Sequence, residues 1–78
     1  MVMPDLTFGQ LVARERAARS WSQDELAAKS GLSTRAVSAI EQGRVKDPRI
    51  STVRALARAL GESFFAEAYR YTDIRESV

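Results

Sequence analysis

Residues 22–43 read SQDELAAKSGLSTRAVSAIEQG. Ser22 and Glu25 have the spacing of a capping box, where a hydroxyl and a carboxylate three residues apart satisfy each other's backbone N–H groups at a helix start. Trp21 and Leu26 stand at the apolar staple positions around it. Gly31 falls where a helix ends in a left-handed cap, and Ser33 can cap a second helix with Leu32 placed to meet Val37. Gly43 closes that helix, so the stretch predicts two short helices joined by a glycine turn. The second is poor in apolar residues, Val37 and Ile40 being the chief ones, and a carboxylate, Glu41, lands on their side. At about 100° per residue, Ser33, Val37, Ile40 and Glu41 point one way. Thr34, Arg35, Ser38, Ala39 and Gln42 form a continuous arc on the other.

That arc is polar but lightly charged. A face that only meets water is more often rich in Glu and Lys, because such pairs favour exposed helices. Short Thr, Ser and Ala side chains let a helix backbone come close to a surface, while Arg reaches into it. Those are the needs of a helix lying in a DNA major groove, where Arg bonds guanine and the methyls of Thr or Ala meet thymine.

Working outward, Thr7 and Gln10 form another capping box, Leu6 can staple onto Leu11, and Phe8, Leu11 and Val12 follow helical spacing. Pro48 breaks the chain before a fourth helix, expected to be capped by Ser51 and lined by Val53, Leu56, Ala57 and Leu60. Gly61 ends it, and a fifth runs from about Ser63 to Tyr71. Nothing alternates with a strand period. The expectation is an all-α fold: a compact bundle of five short helices, one domain over residues 5–71, then a short polar tail at 72–78.

Composition narrows the function. A chain of 78 residues is one small domain, burying roughly 60–65% of its unfolded surface. It has no Cys and no His, which removes thiolate metal sites, disulfides and the commonest general base. No acid pair stands ready for catalysis, so neither an enzyme nor a metal, cofactor or small-molecule ligand is expected. The start MVMPDLTFGQ carries no basic or long apolar run, and no later segment approaches a membrane span. The expected compartment is the cytoplasm. Net charge is only +2, but residues 29–58 hold seven basic groups (Lys29, Arg35, Arg44, Lys46, Arg49, Arg54, Arg58) against Glu41 and Asp47. The flanks are mildly acidic. A solvated face is the plain reading of such a zone; a polyanion partner is the sharper one.

These residues carry a resemblance. Residues 8–67, through FGQLVARER, WSQDELAAKSGLSTRAVSAIEQGR and the PRISTVRALARALG run, resemble the Cro/repressor (Xre-type) helix-turn-helix family of phage repressors and bacterial regulators. The resemblance implies a repressor-like domain with the helix-turn-helix at 22–42. It implies base contacts from Thr34, Arg35, Ser38 and Ala39, and a phosphate contact from Gln23, which also braces the reader helix. Arg44, Lys46 and Arg49 would hold the DNA backbone, with Ser22 and Gln42 as weaker candidates. Two positions depart from the family pattern: Thr34, often a long amide in phage members, and Glu15, usually a core Leu. Base preference cannot be carried over at the first, and the first helix must pack differently at the second.

Glu41 and Arg16 both face inward, Arg16 lying one turn after Val12. A lone buried charge is untenable, so each demands a partner. Either they answer each other, as the resemblance also implies, or both reach out to water. On the last helix Phe64, Ala68 and Tyr71 share a face, while Phe65 and Tyr69 point elsewhere. Those two either curl over the fourth helix or form a self-complementary homodimer patch. The dimer is favoured, because operators read by this fold are pseudo-palindromic. The function expected is a sequence-specific, double-stranded DNA-binding transcription regulator acting as a homodimer, with repression preferred over activation. The rival is a protein-interaction module or antitoxin whose main role is binding a partner protein.

Overall fold

The computed structural model describes residues 6–45 and 47–71; residue 5, Lys46 and the tail at 72–78 lie outside the described residues. Five helices follow one another: α1 Phe8–Ala18, α2 Gln23–Ser30, α3 Thr34–Glu41, α4 Ile50–Leu60 and α5 Glu62–Tyr71. Local chemistry sets most of their ends. Both capping boxes form, Thr7 with Gln10 and Ser22 with Glu25, and the Ser33 hydroxyl accepts from the Ala36 N–H at 3.0 Å. After α3, the Gly43 N–H bonds the Ile40 carbonyl and the Arg44 N–H bonds the Ala39 carbonyl, with Gly43 at φ +81°. This double closure needs a left-handed residue at its centre. The same closure ends α1 without a glycine: Ser20 takes φ +59° while Ser20 and Trp21 bond back to Ala17 and Arg16.

Two boundaries differ from expectation. α4 starts at Ile50 with Arg49 at the cap position and no side-chain cap bond, so Ser51 lies inside the first turn and caps nothing. Pro48, fully buried, fixes the entry instead, its rigid φ favouring extended backbone just before a helix. α5 begins one residue early, at Glu62, directly after Gly61; an acidic side chain there suits the positive end of the helix dipole.

The core draws on all five helices: Phe8, Leu11 and Val12; Leu26 and Ala27; Val37 and Ile40; Val53, Leu56 and Leu60; Phe64 and Ala68. Phe8 and Phe64 meet as tilted rings 6.2 Å apart, locking α1 to α5. α2 packs on α3 and α4, and α1 on α3. The α1–α3 crossing is tight at Gly9, which is buried. A Cβ there would fall onto the Ile40 carbonyl oxygen and lie 3.1 Å from that of Glu41, so only glycine admits this approach.

Glu15, in place of an apolar residue, makes a polar joint. Arg14 and Arg19 both bond its carboxylate. Arg14 also reaches Glu67 of α5 at 2.9 Å, and Arg19 reaches the Leu60 carbonyl at the end of α4 at 2.7 Å. Burial pushes the Glu15 carboxyl up, but the hydrogen bonds and charges of Arg19 and Arg14 outweigh it and hold it below the ordinary range.

Candidate nucleic-acid interface

α3 is held by two buried side chains, Val37 and Ile40, on its inward side. On the outward arc Thr34, Arg35 and Gln42 are exposed, and Ser38 and Ala39 are half-buried. The arc is therefore contiguous on the surface, but three of its polar side chains already make hydrogen bonds. The Thr34 hydroxyl donates to Asp24 Oδ1 at 2.6 Å, and Gln42 Nε2 donates to Ser38 Oγ at 3.0 Å. Asp24 had no signal in the sequence, since it lies ten residues from Thr34 and on another helix.

Arg16 and Glu41 meet. Arg16 Nε and Nη2 bond the two carboxylate oxygens at 2.7 and 2.9 Å, a fork-on-fork pair, and Gln23 Nε2 adds a third bond at 3.0 Å. Arg16 Nη1 bonds the Trp21 carbonyl at 2.8 Å. The Glu41 side chain is only 7% exposed against 21% for Arg16. Burial alone would raise the Glu41 carboxyl, yet the bonds from Arg16 and Gln23 and the Arg16 charge hold it below the usual range. The cluster thus joins α1, the entry to α2 and the end of α3. It sets where the outward arc sits relative to the N-terminus of α2. Gln23 spends one amide proton on Glu41 and keeps the other. Ser22, its hydroxyl oxygen accepting from the Glu25 N–H, keeps its own proton to donate.

Beyond α3, Arg44, Asp47 and Arg49 are exposed, Val45 packs against the core, and Pro48 is buried; Lys46 is not among the described residues. The basic zone of the sequence divides in space. Arg54 and Arg58 flank a groove of about 500 Å³ between α4 and α5, with Phe65 and Glu62, and the Lys29 ammonium lies 4.9 Å from the centre of the Trp21 ring. On α5, Phe65 is half-buried and packs on the core, whereas Tyr69 is 52% exposed and meets the Phe65 ring edge-on at 5.6 Å. No cluster of metal-ligating side chains occurs among the described residues, and none of their helices is long and apolar enough to cross a membrane.

A short helix presenting a polar arc, braced by a second helix across a glycine turn inside a five-helix bundle, defines a helix-turn-helix domain. The sequence profile of the helix-turn-helix family matches residues 12–65, and the chain belongs to the Xre-type branch of that family. It is 40% identical over 55 residues to an uncharacterized HTH-type transcriptional regulator, y4dJ, of Sinorhizobium fredii (strain NBRC 101917 / NGR234); the match covers 70% of each chain. No solved structure matches it.

Proposed function

We propose that this protein binds duplex DNA sequence-specifically through α3 and regulates transcription there, as a repressor and as a homodimer on a pseudo-palindromic operator. The observation that carries the reading is the outward arc of α3, contiguous and lightly charged, on a helix fixed by the part-buried Arg16–Glu41 pair. Arg35 is the base-reading cation, with Thr34, Ser38 and Ala39 beside it. Gln23 and Ser22, at the N-terminus of α2, hold one phosphate with the help of the helix dipole. Arg44, Lys46 and Arg49 hold the backbone beyond α3, and Gln42 contributes at its end. The dimer forms about Tyr69 and the exposed part of Phe65, setting two reader helices about 34 Å apart on one face of the duplex. Repression is preferred because so small a domain has little surface left to recruit a polymerase.

The test is titration of duplexes selected from a random pool, by fluorescence anisotropy over a range of salt. Arg35→Ala should lose about 1–3 kcal/mol on the selected site and relax preference at one base pair per half-site. Arg44→Ala and Arg49→Ala should weaken binding to every sequence, each lowering the salt slope by about 1. Failure to retain any duplex at low salt would sink the proposal.

A further inference from the structure

The Thr34–Asp24 contact is short for a hydroxyl donor, 2.6 Å, within the range of a charge-assisted O–H···O⁻ bond. It links the first residue of α3 to the first turn of α2, and both partners are exposed. A surface hydroxyl normally rotates to suit whatever approaches it. Here its proton is committed, and the bond fixes the rotamer by holding Oγ1 toward α2. A hydroxyl so held cannot donate to a base acceptor such as guanine O6 or thymine O4. With Oγ1 held toward α2 and able only to accept, the group Thr34 turns elsewhere is its γ-methyl.

Resting on the DNA-binding reading above, we propose that Asp24 is a specificity-determining positioning residue: it locks Thr34 so that α3 meets DNA with a methyl group at that position. The matching chemistry in the major groove is the C5-methyl of a pyrimidine, carried by thymine and by 5-methylcytosine. Ser38 differs: its oxygen accepts from Gln42 Nε2, so it keeps its own proton to donate, while Ala39 has only a methyl. The reader arc therefore offers one cation, Arg35, the Ser38 hydroxyl proton, and the methyl groups of Thr34 and Ala39. The Asp24 carboxylate adds a second effect, since it stands beside the α2 N-terminus and repels phosphate on every sequence alike.

The two effects separate by substitution. On the selected half-site, single thymine-to-uracil replacements should reveal one position where loss of the methyl weakens wild-type binding about fourfold, the worth of one buried methyl-sized group. A second arm places cytosine or 5-methylcytosine at that position and should recover the preference for the methylated base. Thr34→Ser and Asp24→Ala should each abolish the discrimination. Asp24→Asn, whose amide oxygen still accepts the hydroxyl, should keep it while raising affinity for all duplexes. Thr34→Val carries a methyl on both branches, so adding Asp24→Ala to it should leave the discrimination intact. The proposal is overturned if Asp24→Ala discriminates as wild type does. It is equally overturned if no uracil replacement matters while Arg35→Ala still relaxes base preference, an outcome that leaves DNA reading by α3 standing. Absence of any duplex binding would remove both.

Discussion

Replacing Arg16 by Ala leaves the Glu41 carboxylate 7% exposed with only the Gln23 amide to answer it. Stranding a buried charge in this way costs roughly 3–5 kcal/mol. A chain of 78 residues has a total stability of about 4–12 kcal/mol, so a quarter or more is lost. At about 4–8 °C per kcal/mol for a domain of this size, the melting temperature should fall by about 12 °C or more. Glu41→Ala should cost less. The guanidinium left behind is 21% exposed, turns to water, and keeps its bond to the Trp21 carbonyl; the loss is then about 1.5–3 kcal/mol, that of a charged hydrogen bond. With Glu41 gone Arg16 has nothing buried to neutralise, so the double replacement should cost little more than Glu41→Ala alone. The assay is urea unfolding followed by circular dichroism, with midpoints compared at constant slope. Single losses that add within about 0.5 kcal/mol in the double variant would refute the coupling.

The same pair should set an acid limit. Because the folded Glu41 carboxyl is held below its ordinary value by Arg16 and Gln23 against the push of burial, its contribution is present above the unfolded value of about 4.3 and drains away as pH falls through the folded one. Stability measured from pH 5 to 3 should therefore fall less steeply in Glu41→Gln than in wild type, and parallel slopes would count against it. Gly9→Ala should destabilise by about 1–3 kcal/mol through overpacking against the Ile40 carbonyl; elsewhere in a helix that change gains about 0.5–1 kcal/mol, so a gain in urea midpoint would disprove the close approach. Tyr69→Ala, at the exposed ring, should stay folded yet sediment as a monomer, and should lose far more affinity for a full palindromic site than for a half-site. A wild type that is monomeric both free and on a full site removes the dimer.

Much of the fold is legible because its signals are local. Thr7, Ser22 and Ser33 stand within three residues of the N–H groups they cap, and Gly31 and Gly43 need only their own backbone angles. The outward arc of α3 follows from helical periodicity alone. Signals that depend on other helices are not legible. Gly9 looks like a helix weakness until α3 is seen lying against it, and Asp24 looks like an ordinary first-turn acid until Thr34 is seen across the turn. Arg54 and Arg58 read as part of one basic zone, yet the turn of α4 carries them toward α5. Ser51 was a reasonable cap, but a buried Pro48 upstream fixes the entry earlier than a hydroxyl could.

On either side of Lys46, the described residues between α3 and α4 are pinned. The double hydrogen bond closing α3 fixes Gly43 and Arg44, Val45 rests on the core, and Pro48 is buried. Arg44 and Arg49 thus leave a backbone whose conformational entropy was surrendered on folding rather than on association. Ordering a free loop would take about 1–2 kcal/mol per residue out of the binding free energy, and here that loss is largely incurred beforehand. Grip on a phosphate backbone should then depend on salt far more than on temperature. In the proposed complex, the association rate should be limited by encounter rather than by rearrangement at Arg44 or Arg49.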